Sequence, residues 1–349
     1  MGQVTYVGLD VHKNSITAVF GPAKTKPESM KVKNEPTGWE RLAKRLEGCD
    51  VRSVYEASSC GFEVHDVMSG RGWDVIVVAP TLMPKSVRNK KRKTDLEDAL
   101  ELRNHLVAHW EAGTWLPGVW IPPQVVRQDR ELVRRRLAIG GKLTRVKSSI
   151  KSLLQIHPVR PAPEFKTQWS LEHRAWLKSL CGEKSALARP VKTALASMLR
   201  ELEFLVGEGK GLDKELKRLA EESRHKEQVE AVTEVVGVGL LTAMTFLTEL
   251  GDVTRFQNRK QVGSYLGLTP TSYESGEAED RKGHITRMGP ARIRKVLNQA
   301  AWCGVQRDPQ RAARYAEASE KSGSKKAIVG VMRKLGIELW HRAVAAKTA

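Results

Sequence analysis

Four carboxylates in the first hundred residues stand where strands end or a helix begins. Asp10 closes the stretch Gly8-Leu9-Asp10, followed by Val11-His12-Lys13, and Glu56 closes Val54-Tyr55-Glu56-Ala57. Asp95 and Asp98 lie three apart in Lys93-Thr94-Asp95-Leu96-Glu97-Asp98-Ala99, a spacing that puts both on one helix face. Carboxylates gathered at one point repel unless cations sit between them. Oxygen donors of this kind suit Mg²⁺, with Mn²⁺ as the alternative. Two such ions about 4 Å apart polarise a phosphodiester and activate an attacking oxygen. Singly, the acids have plainer readings: Asp95 as a first-turn residue favoured by the helix dipole, Glu56 as a surface residue at a strand end. Asp10 is harder to dismiss, because an apolar strand delivers it to the functional edge of a sheet.

A second group lies far along the chain. Ser275 is followed within twelve residues by Arg281, Lys282, His284 and Arg287. A serine that attacks a phosphodiester needs positive charge at the developing oxyanion and a route for its proton. The basic cluster supplies the first; a metal-bound hydroxide or His284 supplies the second. Ser275-Gly276 read alone is an ordinary turn, and Ser272 is the alternative nucleophile.

Basic residues surround both groups. Lys85, Arg88, Lys90, Lys91, Arg92 and Lys93 run directly into Asp95, and a long helix adds Arg127, Arg130, Arg134, Arg135, Arg136, Arg145, Lys147 and Lys151. Such runs are often only solvated faces. Beside a metal-binding set they neutralise the phosphates of an approaching strand. Gly237 and Gly239, ahead of an apolar helix, form a Gly-x-Gly turn of the helix-hairpin-helix kind, which either presents backbone N–H groups to a phosphate or simply turns tightly.

The whole chain agrees with a polyanionic partner. Its 349 residues carry 59 Lys and Arg against 40 Asp and Glu, a net charge of +19. Apolar residues make up 40% and charged residues 28%, the balance of a globular protein rather than a disordered one. No run approaches the ~20 apolar residues of a membrane helix and the first residues do not read as a signal peptide, which leaves nucleic acid as the partner. Cys49, Cys60, Cys181 and Cys303 are scattered, with neither zinc spacing nor a disulfide framework, so a reduced cytoplasmic setting is expected.

The elements that must position these residues fall into three expected regions. Residues 1–123 read β-β-β-α-β-α-β-α: strands at Val4–Leu9, Ile16–Phe20, Met30–Lys33, Val51–Tyr55 and Val75–Val78, helices at Trp39–Leu46 and Phe62–Met68, and a last helix capped by Thr94 and Glu97 and running to about Leu106. In a ribonuclease-H-type sheet strands one and four are neighbours, which brings the four acids together. Residues 107–123, rich in Pro and Trp, read as a linker. Residues 124–225 open with a long helix over 124–156, whose Leu132, Ile139, Leu143, Val146, Ile150 and Leu153 form a coiled-coil-like seam. A second seam runs from Leu195 to Leu219, with Gly207, Gly209 and Gly211 arguing against an unbroken helix, and residues 157–190 between them read as irregular. Residues 226–349 form a mostly helical last region.

Gly8-Leu9-Asp10-Val11-His12-Lys13, Tyr55-Glu56-Ala57, Lys93-Thr94-Asp95-x-x-Asp98-Ala99 and Gly267-Leu268-Thr269-Pro270-x₅-Gly276 resemble, in order and spacing, the DEDD transposases of the insertion-sequence one-ten family, relatives of the Piv-type DNA invertases. The resemblance implies a RuvC-like (ribonuclease-H-like) N-terminal domain, a coiled-coil insertion and a C-terminal transposase domain. It implies that Asp10, Glu56, Asp95 and Asp98 bind Mg²⁺ and that Ser275 forms a covalent phosphoserine link to DNA. Further implications are a homodimer assembling to a tetramer, with the two half-sites from different protomers, and a structured bridge RNA that selects donor and target duplexes by base pairing. Glu274 stands where the family commonly has a small polar residue, and Pro290 where Asn is frequent.

The expected activity is cutting and rejoining of DNA by an insertion-sequence transposase. A metal-dependent RuvC-like nuclease or Holliday-junction resolvase needs the four acids without Ser275. An actin-like or sugar-kinase-like ATPase also opens with a strand ending in Asp, but the basic balance and the lack of an adenosine-binding glycine pair speak against it. A non-catalytic nucleic-acid-binding protein needs only the basic surface.

Overall fold

The computed structural model describes residues 3–84, 94–159, 164–222, 224–273 and 281–348, with the side chains of residues 272, 273, 281 and 282 outside that description. Two compact units divide the chain, Met1–Ile121 and Pro122–Ala349.

The first unit is built on a five-stranded sheet. Its strands are β1 (Val4–Val11), β2 (Ser15–Gly21), β3 (Glu28–Lys33), β4 (Asp50–Glu56) and β5 (Asp74–Val78), in the order β3-β2-β1-β4-β5. β1 pairs antiparallel with β2 and parallel with β4. As the central strand, β1 is buried on both faces, which explains its nearly unbroken apolar run. Helices α1 (Pro36–Arg45) and α2 (Glu63–Gly70) belong with the face carrying Leu9, Ile16 and Tyr55; α3 (Asp95–Ala112) covers the face carrying Tyr6 and Val54. The order and approximate bounds of these eight elements agree with the sequence reading.

Thr94 caps α3 by accepting a hydrogen bond from the Glu97 backbone N–H at 3.3 Å. The helix runs past the expected Leu106 to Ala112 and stops at Gly113, whose φ of 66° suits a left-handed C-terminal cap. The following segment is no free linker. Val119 N–H donates to the Val77 carbonyl at 2.7 Å and Leu116 is buried, so the chain returns alongside β5.

The second unit is mostly helical: α4 (Gln124–Ile156), α5 (Leu171–Ser179), α6 (Arg189–Glu221), α7 (Lys226–Thr233), α8 (Leu240–Leu250), α9 (Arg259–Tyr265), α10 (Ala291–Arg307), α11 (Pro309–Ser322) and α12 (Ser324–Thr348), with a hairpin of β6 (Pro270–Tyr273) and β7 (Arg281–Ile285) before α10. α4 and α6 pack along much of their length through Ile139, Val146 and Ile150 against Leu195, Leu199, Leu202 and Leu205. α6 is unbroken despite its three glycines. Gly209 is buried against α4, where an added Cβ would lie 3.7 Å from Ile139 Cγ2, and leucines on either side of the glycine stretch anchor the helix. Their burial outweighs a propensity cost of about 1 kcal/mol per glycine. The stretch expected to be irregular holds α5, capped by the Ser170 hydroxyl. Val133 of α4 and Leu216 and Leu219 of α6 share a core with Phe246, Leu297 and Leu339, so the regions expected as middle and last domains lie in one unit.

Candidate active site

Gly8 decides how closely α3 approaches the sheet. A Cβ at this position would fall 2.0 Å from the Ala99 carbonyl oxygen and 2.5 Å from the Arg103 nitrogen. With only hydrogen there, the helix backbone rests on β1. Arg103, only 3% exposed, locks the contact by donating to the Gly21 carbonyl at 3.0 Å. The first turn of α3 is thereby held at the end of β1, where Asp10 emerges.

Asp10, His12 and Asp95 each present a ligand atom within 4.8 Å of the others. His12 Nε2 lies 3.0 Å from Asp10 Oδ2 and 3.5 Å from Asp95 Oδ1, and Lys31 Nζ donates to Asp95 Oδ2 at 2.9 Å. Burial pushes the Asp10 carboxyl up from its ordinary value; His12 pulls it back, and the negative charges of Asp95 and Asp98 add to the rise. Asp95 is held below its ordinary value, chiefly by the hydrogen bond from Lys31. Asp98 thus acts electrostatically on Asp10 but is not among the three residues with converging ligand atoms.

Glu56 is the exposed last residue of β4. Leu9 of β1 pairs with Tyr55, so the next rung sets Asp10 and Glu56 on adjacent strands, both on the sheet face that α3 covers. The carboxylates are hard oxygen donors of the type Mg²⁺ and Mn²⁺ take. Burial is the larger cause of the raised Asp10 pKa, and the nearby charges of Asp95 and Asp98 add to it; a divalent cation between Asp10 and Asp95 would relieve that repulsion, so the donor set fits such an ion. The imidazole of His12 is softer and bridges the two carboxylates instead.

The acids are legible in the sequence, as is the neighbouring His12, whereas Lys31 and Thr17 belong to no motif. Their signal is strand register: Asp10 pairs with Thr17, and Thr17 with Lys31, so one cross-strand row carries all three.

Ser275 and Glu274 lie outside the described residues, as do Lys85, Arg88, Lys90, Lys91, Arg92 and Lys93, and the side chains of Ser272, Arg281 and Lys282. His284 in β7 is exposed, and its carbonyl accepts from the Thr271 hydroxyl at 3.0 Å. Arg287 adopts φ of 54°, in the turn between β7 and α10. Pro290 is the N-cap residue of α10, a place where its missing N–H costs nothing. Gly267 and Gly289 support the base of the hairpin; a Cβ on Gly289 would lie 2.0 Å from the Tyr265 carbonyl oxygen.

The basic helix α4 is more internal than its composition implies. Arg134, expected among the phosphate-contacting residues, makes an inward ion pair in the folded chain. It chelates the Glu249 carboxylate at 2.9 and 3.1 Å, while Arg130 donates to the carbonyls of Thr248 and Glu249 at the end of α8. Arg136 pairs likewise with Asp213 of α6. Arg135 and Arg145 are exposed, and Lys147 lies 5.3 Å from the centre of the Trp169 ring. Gly237, at φ of 92°, presses its backbone onto α10, where a Cβ would meet the Ala300 carbonyl oxygen at 2.6 Å; Gly239, the N-cap of α8, faces open space.

Comparison with known proteins agrees with this architecture. Residues 7–158, from β1 to just beyond α4, match the model of the DEDD transposases of IS110. Residues 229–316 match that of the transposases of the IS116/IS110/IS902 family. The two matches cover most of both units and define the chain as an insertion-sequence transposase. It belongs to the IS110 family. The transposase of insertion sequence element IS1533 from Leptospira borgpetersenii is 24% identical over 343 residues, 97% of this chain and 95% of the relative. The y4qE protein of Sinorhizobium fredii is 27% identical over 85% of this chain and 71% of its own. The transposase of IS1111A from Coxiella burnetii is 26% identical over 71% of this chain and 64% of its own. No described helix is long and apolar enough to cross a membrane.

Proposed function

We propose that this transposase cuts and rejoins DNA with two chemical groups: a divalent-cation site on Asp10, Glu56, Asp95 and Asp98 of a RuvC-like unit, and the hydroxyl of Ser275. The observation that carries the reading is the convergence of Asp10 and Asp95 at the edge of the sheet, within 4.8 Å and beside Asp98. Mg²⁺, or Mn²⁺ in its place, supplies Lewis-acid polarisation of the phosphodiester when bound. The four acids hold the ion, and His12 orients the two carboxylates it bridges. Ser275 Oγ forms a bond to phosphorus as the bond from phosphorus to a deoxyribose oxygen breaks. The serine proton leaves to a base, for which His284 is a candidate. Different copies of the chain contribute the serine and the acids, in a tetramer of two dimers.

In this reading the basic residues Lys85 to Lys93, Arg135, Arg145, Lys147, Arg281, Lys282 and Arg287 meet phosphates, with the Gly237–Gly239 turn as a further backbone contact. A bridge RNA chooses donor and target duplexes, and the protein acts in the cytoplasm at the nucleoid. The paired helices α4 and α6 serve as the coiled-coil arm of the assembly. The test is recombination by the full chain with its co-purifying RNA. Wild type recombines in Mg²⁺; Asp10→Asn and Ser275→Ala abolish product. Product from Asp10→Asn at the wild-type rate overturns the metal site.

A further inference from the structure

A cleft of about 470 Å³ opens beside the acids, lined by Thr17, Ser29, Lys31, Thr94 and Asp95 among others. Its floor is the cross-strand row: Thr17 pairs with Asp10 on one side and with Lys31 on the other, so all three side chains leave the sheet on the α3 face. Thr17 is only 5% exposed, yet its hydroxyl has no hydrogen-bond partner. A buried hydroxyl left unpaired costs about 1–3 kcal/mol, so on a residue that lines the cleft it favours an entering acceptor once the side chain turns toward it. The N-terminus of α3, an 18-residue helix, opens at the same cleft and contributes the positive end of its dipole.

Asp95, Glu97 and Asp98 in that first turn oppose an anion; Lys31 offsets one of these charges, and a bound divalent cation would offset two more. Its ammonium is 2.9 Å from Asp95 Oδ2, on an edge strand, with 61% of the side chain exposed. A divalent ion on Asp95 and the Lys31 ammonium need the same carboxylate. Lys31 and Thr17 line the same cleft from paired strands, so an ammonium displaced from Asp95 has a phosphate entering there within its reach.

We propose that this cleft is a phosphodiester subsite for the DNA strand drawn to the acids, in which Lys31 leaves Asp95 for a backbone phosphate when a divalent cation takes its place, and Thr17 donates the second hydrogen bond. The proposal rests on the reading of Asp10 and Asp95 as cation ligands. Lys31 is therefore at once the counter-ion of Asp95 and a strand-positioning residue when a cation takes that carboxylate.

The test is binding rather than turnover. A fluorescein-labelled DNA duplex is titrated with the full-length protein at several KCl concentrations, with and without Mn²⁺, for wild type, Lys31→Met, Lys31→Arg and Thr17→Val. In Mn²⁺, Lys31→Met weakens binding about tenfold and lowers the salt slope by about one, while Lys31→Arg stays near wild type. Without Mn²⁺ the difference between wild type and Lys31→Met vanishes, because Lys31 is engaged by Asp95. Thr17→Val melts no lower than wild type, since it removes an unpaired buried hydroxyl, yet weakens binding in Mn²⁺. Lys31→Met binding like wild type in Mn²⁺, or equally weakened in both conditions, overturns the proposal. A loss seen with an RNA duplex and not with DNA overturns the assignment to the DNA strand. Calorimetric titration of Mn²⁺ into wild type and Asp10→Asn, without nucleic acid, tests the cation site separately.

Discussion

Gly8 and Ala99 are so close that the smallest side chain on Gly8 would sit 2.0 Å from the Ala99 carbonyl oxygen. This contact between a central strand and a helix sets the distance between Asp10 and Asp95. Gly8→Ala therefore has a cost in stability and a cost in chemistry. Overpacking of this kind destabilises by about 1–3 kcal/mol, read from urea unfolding. Mn²⁺ affinity, measured on protein that remains folded, falls with it, because α3 must move away from β1.

Asp10→Asn separates charge from shape. The Asp10 carboxyl titrates above its ordinary value in the folded protein, by burial first, with Asp95 and Asp98 adding to the rise against His12. Its folded pKa thus lies above its unfolded one, so the ionised form opposes folding at neutral pH, and that penalty grows as pH rises through the window between the two. Removing the charge raises the melting temperature in EDTA by about 2 °C. Mn²⁺ raises the melting temperature of wild type and leaves Asp10→Asn unchanged. A lower melting temperature for Asp10→Asn in EDTA contradicts this account of the charge.

Much of the first unit follows from its sequence. Its strands are apolar runs between turn residues, and Thr94 with Glu97 marks the start of α3. What the sequence does not carry is register. The two-residue turn at Lys13-Asn14 and the longer connection to β3 fix Thr17 and Lys31 opposite Asp10, and neither residue belongs to a recognisable pattern. In the second unit composition misleads for a related reason. Arg134 belongs to a strongly basic run, but one buried carboxylate, Glu249, turns it inward. α6 likewise contains three glycines that argue for a break, and packing against α4 overrides them.

Arg134 and Arg135, adjacent in sequence, lie in opposite environments, one paired inward with Glu249 and the other exposed. Glu249 is 3% exposed, so Arg134→Ala removes the two hydrogen bonds to a buried carboxylate that keeps Arg130 at 4.0 Å, and costs about 1–3 kcal/mol in chemical unfolding. Arg135→Ala leaves stability within about 0.5 kcal/mol of wild type and reduces the salt slope of DNA binding by about one. Equal stabilities for the two variants contradict the assignment.

Asp252 gives the second unit an acid-sensitive tie. Its carboxyl is lowered to about 2, chiefly by the hydrogen bond from Lys347 Nζ at 2.6 Å, with Thr254 adding to it. The folded pKa is below the unfolded one, so the stabilisation is full above the usual carboxylate range and is lost as pH falls from roughly 4 to 2. Both side chains are more than a third exposed, and screening reduces the contribution to about 1 kcal/mol or less. Asp252→Asn lowers stability at pH 7 and has a much smaller effect near pH 2, as followed by urea unfolding at each pH.

In the proposed mechanism a serine becomes covalently joined to DNA under the control of the acids. The most direct measurement runs the full-length protein, with its co-purifying RNA, Mg²⁺ and labelled donor and target duplexes, on a denaturing gel. Wild type is expected to carry label at the position of a protein–DNA adduct, and Ser275→Ala and Asp10→Asn to carry none. Labelled adduct from Ser275→Ala at the wild-type level, or strand cleavage by wild type with no adduct at any time, contradicts the account.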